Sequence, residues 1–420
     1  MTRANRGLPW GRVVAVAVAG GFLLLAGRYC VTHYVDFPVY WHASRSLMSG
    51  RRDLYSPTFV WGGTDRLMDY RYPPLFLLLF TPLGLLPYTA AGWVWFAMKV
   101  GAVALMVLSI HRMVAIELRN NMLFWLAPIL IGIPYLLEEF HYGNVHFLIV
   151  SLAIFSLYLL EEERKWLSAS ILALSIAIKV FPIFFLPYFL IRKKFGFVVL
   201  TLLFVVVWSL IPAFYFGFAQ NTSLLQAWYD HVIRNPEFHA THTVMDQSLK
   251  GVLLRYFTRI PYGEIWPGEY YPNTNVADIS AGSLQRLWYI ADGLCLLGIA
   301  VLCLRQPDRR EGRLLAYGLV ACAAVGFVPL TAYYYLVILI FPCAMISAYL
   351  MRHYGAKGTR LILGLTVAAV LLSFLPPLLP GSNTQHAVRV SSIYFFSVLT
   401  LLISLAIALT TMRSEDSEAS

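Results

Sequence analysis

Long uncharged runs, separated by short charged clusters, set the pattern of this chain. Runs of about 18 or more nearly uncharged residues recur, and each is long enough to cross a hydrocarbon core about 30 Å thick. The pattern predicts an all-α polytopic membrane protein, a bundle of about twelve transmembrane helices. The predicted spans cover 13–29, 72–88, 91–110, 121–137, 144–160, 167–191, 197–217, 286–304, 314–330, 332–350, 361–376 and 390–412.

The composition strengthens this prediction and argues against a soluble domain and a nucleic-acid-binding protein. Hydrophobic residues make up 59% of the chain and charged residues 13%, whereas a soluble domain carries roughly a quarter charged residues. The net charge of +10 comes from lysines and arginines in short clusters between apolar runs. Such clusters indicate membrane topology and no nucleic-acid partner.

The same clusters orient the bundle. Twelve spans put both termini on one side, together with the three main basic clusters, which the positive-inside rule makes the cytoplasmic side. These clusters are Arg192–Lys194, Arg305–Arg313 and Arg352–Arg360. This arrangement places Arg112, Arg119, Arg164 and Lys165 on the outer side. A re-entrant hairpin broken at Pro182 would invert residues 111–165, and both arrangements stay open.

Two long polar segments, 30–71 and 218–285, lie outside in either arrangement. Both are rich in Tyr, Trp, His, Pro and Asp, which favours folded caps over a pocket at the membrane surface. We therefore expect a membrane module over 1–217 that includes the first loop, a second loop over 218–285 that caps the site, and C-terminal helices over 286–420 with a short cytoplasmic tail.

Asp36 opens the first outer loop, in the stretch Asp36-Phe37-Pro38-Val39-Tyr40. A carboxylate at this interface could act as a base toward a membrane-bound substrate. It could equally cap a short interfacial helix that contains Ala43 to Met48.

Lys179 interrupts an otherwise apolar stretch, and burying such a cation costs about 2.5–3.5 kcal/mol on insertion scales. A bound phosphate would offset that cost. Alternatively Lys179 pairs with Glu138 or Glu139, or lies near the membrane boundary if the helix breaks at Pro182.

Arg255 ends a short amphipathic helix that follows Asp246-Gln247-Ser248-Leu249 in the second outer loop. Its planar fork suits phosphate oxygens, although arginines at such positions also snorkel to lipid headgroups. The outer loops contain no Asp-x-Asp motif and no Glu-x-x-His pattern. We therefore expect no metal, no cofactor and no nucleotide-sugar site.

Taken in order, these motifs resemble glycosyltransferase family 87, the polyprenol-phosphate-mannose-dependent transferases of the GT-C fold. The matching segments are Asp36–Tyr40 with Leu54-Tyr55, Tyr72-Pro73-Pro74, Gly143–His146, Lys179–Pro182, and Asp246–Leu249 with Arg255. After Pro329 the family often carries histidine, whereas this chain has Tyr333-Tyr334-Tyr335. One of the last two tyrosines could donate a hydrogen bond in place of that histidine, or both could be aromatic-belt residues.

The resemblance implies a GT-C-like bundle and a single inverting displacement. Asp36 would be the base, and Lys179 and Arg255 would bind the donor phosphate. The substrate pocket would contain Tyr40, Tyr72, Asn144, His146, Gln247, Tyr334 and Tyr335. The expected donor is a polyprenyl-phosphate-linked hexose, with mannose favoured, and the acceptor a lipid or glycan.

It also implies a bacterial inner-membrane protein with its active site on the external face and both termini in the cytoplasm. A transporter or flippase of a lipid-linked sugar is the alternative. It would bind the same headgroup and break no bond.

Overall fold

The computed structural model describes residues 10–51, 54–55, 70–234, 246–265, 267–356 and 358–418. Every regular element in these ranges is helical, so the predicted all-α fold is confirmed. Parts of the two predicted outer segments, including 56–69 of the first and 235–245 of the second, lie outside the described residues. The α-helices are α1 Trp10–His33, α2 Phe37–Met48, α3 Pro74–Gly84, α4 Tyr88–Met113, α5 Met122–Tyr142, α6 His146–Glu161, α7 Lys165–Ile178, α8 Phe185–Ile191, α9 Phe195–Leu210, α10 Ala213–Phe216, α11 Phe218–Trp228, α12 Leu249–Phe257, α13 Tyr262–Ile265, α14 Ala281–Arg305, α15 Arg310–Gly326, α16 Ile340–Arg352, α17 Thr359–Phe374, α18 Ser382–Val390 and α19 Ile393–Glu418.

Seven helical segments in the described part of the chain are long and apolar enough to cross a membrane. They are Tyr88–Met113, Met122–Tyr142, Phe195–Phe216, Ala281–Arg305, Tyr333–Arg352, Thr359–Leu378 and Ile393–Arg413. Four shorter apolar helices accompany them: Pro74–Gly84, His146–Glu161, Lys165–Ile178 and Phe181–Ile191. The protein is therefore a multi-pass membrane protein.

The predicted span 72–88 is wrong as a membrane crossing. Its helix, α3, has 11 residues and is only about 16 Å long at 1.5 Å per residue. Both flanks of α3 stay beside α2, since the Tyr72 hydroxyl lies 2.8 Å from that of Tyr40 and the Leu86 carbonyl accepts from the Trp41 indole at 3.1 Å. Prolines on both sides of this run keep it short.

The predicted span 167–191 is two helices. Helix α7 ends at Ile178 because Lys179 takes an extended backbone, with φ −153° and ψ 124°. A 3-10 turn over Phe181–Phe184 carries Pro182 in its first turn and leads into α8. The chain therefore enters, turns at Lys179 and returns.

Ion pairs identify one end of the bundle, called here the Arg313 end. Arg313 binds Glu161 at 2.8 Å, Arg310 binds Glu162 at 3.3 Å, and Arg192 lies 3.1 Å from Asp308. Arg310 also donates to the carbonyl of Arg112 at 3.4 Å. Residues 111–165 thus have their exposed turns at the same end as the basic clusters. The arrangement that sends this stretch to the opposite side is wrong, and the hairpin alternative agrees with the structure.

The helices before residue 217 and those after residue 286 share one apolar core. Phe124, Phe147 and Phe185 from the first group belong to the same buried cluster as Tyr317 and Phe341 from the second. A second cluster joins α1, α2, α3 and α4 around buried aromatic side chains. The end of the bundle opposite the Arg313 end is called here the Asp36 end. Helices α1, α5 and α7 end there, and the Tyr333–Leu339 3-10 helix begins there.

Candidate active site

A cavity of about 680 Å³ opens at the Asp36 end. Its walls come from segments that are far apart in the sequence. The polar side chains that line it include Asp36, Tyr40, Tyr72, Asn144, Lys179, Tyr334 and Tyr335. Apolar side chains such as Ile183, Phe184 and Val232 supply much of the remaining wall. The structure thus brings seven of the ten predicted site residues together.

Asp36 stands at the start of α2, where the prediction left two roles open. The helix exists, but the Asp36 side chain makes no capping hydrogen bond to it. Asp36 Oδ2 instead accepts from Asn144 Nδ2 at 2.6 Å, and its backbone N–H donates to the Tyr142 carbonyl at 2.7 Å. The capping alternative is therefore wrong, and the carboxylate is held at the cavity wall.

Burial raises the pKa of the Asp36 carboxyl above its ordinary value, because desolvation disfavours the charged form. The hydrogen bond from Asn144 and the positive charges of Lys179, Lys99 and Arg71 oppose this rise. Desolvation is the larger effect. The carboxylate therefore has a stronger affinity for a proton than an exposed aspartate.

The turn between α5 and α6 positions Asn144. Gly143 takes a left-handed conformation, φ 65°, and a Cβ at this residue would lie 2.5 Å from the Tyr34 ring. Asn144 Oδ1 accepts from the His146 N–H at 2.8 Å, which directs its amide NH₂ group to Asp36. The same NH₂ group lies 3.3 Å from each of the Tyr72 and Tyr334 hydroxyls.

Lys179 points its ammonium group into the cavity at the break between α7 and the 3-10 turn. Nζ donates to the Tyr335 hydroxyl at 2.8 Å and lies 4.1 Å from the centre of that ring. The predicted alternative partners are engaged elsewhere: Glu139 Oε1 lies 3.1 Å from Lys99 Nζ, and Glu138 lies 3.8 Å from Arg389. The pairing of Lys179 with either glutamate is therefore wrong.

His146 is close to this group but is not among the described residues that line the cavity. Its buried ring stacks on Tyr335 with centroids 4.1 Å apart and meets the edge of Phe181 at 4.7 Å. It supports Tyr335 from behind.

Gln247 and Arg255 are not in the cavity lining. Arg255 is 2% exposed and donates to the Asp246 carbonyl at 2.6 Å and to Ser392 Oγ at 3.0 and 2.7 Å. Burial lowers the pKa of Arg255, and the neighbouring Asp246 carboxylate opposes this. A guanidinium with these buried acceptors is neither at the cavity wall nor snorkelling to lipid.

Three charged residues near the site were not among the predicted site residues. Arg71 lines the cavity directly before Tyr72. Lys99 and Glu139 form a buried ion pair below the α5–α6 turn, with 1% and 0% of their side chains exposed. Lys99 carries the same signal as Lys179, a lone cation inside an apolar run, and that signal would have found it.

Among the described residues, no group of three or more His, Cys, Asp or Glu side chains is arranged to hold a metal ion.

Comparison with known proteins shows the family of this chain. The sequence profile of glycosyltransferase family 87 matches residues 70–332, more than half of the chain. The chain belongs to glycosyltransferase family 87. The matched region of this family 87 protein contains the cavity residues from Tyr72 to Lys179, and Asp36 lies before that region in the sequence.

Relatives with curated descriptions match part of the chain. A Mycolicibacterium smegmatis protein, described as a polyprenol-phosphate-mannose-dependent alpha-(1-2)-phosphatidylinositol mannoside mannosyltransferase, is 26% identical over 266 residues, 58% of each chain. An alpha-(1->3)-arabinofuranosyltransferase of Corynebacterium glutamicum is 30% identical over 210 residues, 46% of each chain. The chain thus spans about half the length of the curated relatives it matches.

Among solved structures, ArnT from Cupriavidus metallidurans bound to undecaprenyl phosphate aligns with 96% of this chain and 78% of its own. The identity is 14% and the TM-score 0.38.

Proposed function

We propose that this family 87 protein transfers a hexose, with mannose favoured, from a polyprenyl-phosphate donor to a hydroxyl group of a lipid or glycan acceptor. The observation that carries the proposal is the presence in one partly apolar cavity of a buried carboxylate, Asp36, and a cation, Lys179, that donates to the Tyr335 hydroxyl. The descriptions of the mycobacterial relatives supply the donor class.

The reaction is a single displacement. Asp36 takes the proton of the acceptor hydroxyl while that oxygen attacks the anomeric carbon of the donor sugar. The bond from the anomeric carbon to the phosphate oxygen breaks, and polyprenyl phosphate leaves with the electron pair. Attack from the side opposite the leaving group inverts the anomeric configuration. A positioned general base typically contributes 10²–10⁴-fold to the rate.

Cations around the cavity stabilise the charge that develops on the leaving phosphate. Lys179 is the first candidate because its ammonium group faces the cavity and donates to a neutral phenol instead of a carboxylate. Arg71 is the second, since it lines the same cavity. Fixed charges in a site of low dielectric stabilise such a group more strongly than they would in water.

The cavity lies on the external face of a bacterial inner membrane in this proposal, with both termini in the cytoplasm. The support is the concentration of basic side chains at the opposite, Arg313 end, which the positive-inside rule assigns to the cytoplasm. Apolar cavity walls such as Ile183 and Phe184 suit a donor that arrives laterally on a lipid chain.

Purified protein incubated with radiolabelled polyprenyl-phosphate-mannose and membrane lipid extract tests the proposal. The wild type should form labelled glycolipid and release free polyprenyl phosphate in equal amounts. Asp36→Asn should form neither. Glu138→Gln is the matched control, because this nearby acid pairs with Arg389 and should leave transfer intact.

Movement of intact labelled donor across vesicles without free polyprenyl phosphate would instead identify a transporter. A folded Asp36→Asn variant that retains transfer would remove Asp36 as the base.

A further inference from the structure

Lys99 is a buried charged residue inside a membrane helix. The proposed reaction assigns no step to it. Lys99 lies in the middle of α4 and is 1% exposed. A lysine ammonium has three donors, and all three have acceptors on one stretch of chain. Nζ donates to the Glu139 carbonyl at 2.7 Å, to Glu139 Oε1 at 3.1 Å and to the Asn144 carbonyl at 2.6 Å.

These hydrogen bonds attach the α5–α6 turn to one face of α4. Trp95, four residues before Lys99 and so on the same helix face, donates from its indole to the Gly143 carbonyl at 2.8 Å. Glu139 Oε1 also accepts from the Phe147 N–H at 2.9 Å. The end of α5, the turn and the start of α6 are therefore fastened around a single ammonium group.

The α5–α6 turn also holds Asp36 by hydrogen bonds. The carbonyl of Tyr142 accepts from the Asp36 N–H at 2.7 Å, and the side chain of Asn144 donates to Asp36 Oδ2 at 2.6 Å. The backbone and the carboxylate of Asp36 are thus both attached to the residues that Lys99 organises. Lys99 is not among the described residues that line the cavity, so its hydrogen bonds reach Asp36 only through this turn.

We propose that Lys99 is a positioning residue, which holds the α5–α6 turn from inside the membrane in the shape that presents Asn144 to Asp36. Glu139 is the ion-pair partner of Lys99 and the second residue that holds the turn. The consequence for catalysis rests on the proposed function, in which Asp36 is the base.

The test is a double variant, Lys99→Met with Glu139→Gln. Removing one partner of a buried ion pair leaves an unpaired charge, whereas replacing both avoids that penalty. Methionine keeps most of the lysine stem, and the glutamine oxygen can still accept from Phe147 N–H. The three bonds that hold the turn are lost.

Two readouts follow. Transfer by the double variant should show a kcat lower by about 10- to 100-fold, as a misplaced catalytic group costs, with a donor KM that changes little. In combination with Asn144→Ala the double variant should lose less activity than the product of the two separate losses, because Lys99 acts in part through Asn144. A folded double variant with wild-type kcat, or losses that multiply, would overturn the proposal.

Amide hydrogen exchange in nanodiscs provides a readout that is independent of activity. Residues 142–148 should exchange at least about tenfold faster in the double variant, while α15 in the far core should be unchanged. Unchanged protection at 142–148 would refute the positioning role. If the wild type transfers no sugar, the proposed function fails, and hydrogen exchange alone decides the role of Lys99.

Discussion

Asp36, the base in the proposed reaction, lies in an environment that disfavours its own charge. Its folded pKa is raised by burial, so the folded state binds the proton more tightly than the unfolded state does. Stability therefore falls as the pH rises through the folded pKa. Above its folded pKa, the ionised carboxylate weakens the fold.

Asp36→Asn should therefore separate activity from stability. We expect transfer to fall by at least about 10²-fold because the base is lost. The thermal midpoint at pH 7 should be equal to or higher than that of the wild type, since the asparagine carries no charge to desolvate. Thermal unfolding and transfer assays on the same preparation check this. A clear fall in the midpoint would mean that Asp36 is chiefly structural.

The pH dependence of transfer should report the same carboxyl group. The acidic limb of kcat/KM should have its midpoint above about 4, the ordinary aspartate value, because burial raises the pKa of Asp36. Activity should be lost as the pH falls through that midpoint, when the base becomes protonated. Initial rates between pH 4 and pH 8 measure it, and a midpoint at or below the ordinary value would contradict the desolvated environment.

Lys179 can be tested by removing only its charge. Lys179→Met keeps an apolar stem against the Tyr335 ring, so packing should be largely retained. We expect kcat/KM for the donor to fall by about 10²-fold or more, because a fixed cation near the leaving phosphate is lost. Donor-dependence kinetics measure this. A change smaller than about threefold would show that the phosphate is bound elsewhere.

At the scale of elements, the segment that leads into Tyr334 is fastened by the start of α12. Asp246 Oδ1 accepts from the N–H groups of Ser248 and Thr331, each at 3.0 Å. The Gln247 N–H donates to the Thr331 carbonyl at 2.7 Å. Arg255 joins this loop to Ser392, which has a positive φ of 59°. The residues matched to the second-loop motif thus brace the cavity wall.

Arg255→Met distinguishes this bracing from a phosphate-binding role. Leaving its buried acceptors without a donor should lower the free energy of unfolding by about 1–3 kcal/mol. The donor KM, measured well below the melting temperature, should stay close to that of the wild type. A normal melting temperature combined with a strongly raised donor KM would restore Arg255 to the phosphate site.

The sequence predicted the membrane fold and much of the cavity, but it offered the helix break near Pro182 only as an alternative and did not predict that 72–88 stays on one side. Apolar runs measure how much chain avoids water, and 72–88 and 167–191 satisfy that criterion without being single crossings. Motif order brought Asp36, Asn144 and Lys179 together correctly. It could not reveal that Arg255 turns toward Ser392, 137 residues away, because such a contact depends on packing between distant segments.

At the scale of the whole molecule, sidedness can be measured directly. In a cysteine-free background, Arg164→Cys and Arg309→Cys should react with an impermeant maleimide from the same side of the membrane. Asp230→Cys should react from the other side, because α9 carries the chain across between them. Labelling in oriented vesicles checks this. Reaction of positions 164 and 309 from opposite sides would contradict the hairpin at Lys179.

The shortness of α7 has a consequence for the lipid around the protein. Its 14 residues span at most about 21 Å, less than the roughly 30 Å of a hydrocarbon core. With the start of α7 placed at the boundary on the Arg313 side, a core of that thickness would put Lys179 about 9 Å beneath the opposite boundary. In the proposed reaction the donor phosphate would then have to leave the headgroup layer to reach Lys179. The rate of the proposed sugar transfer should therefore depend on the thickness of the bilayer.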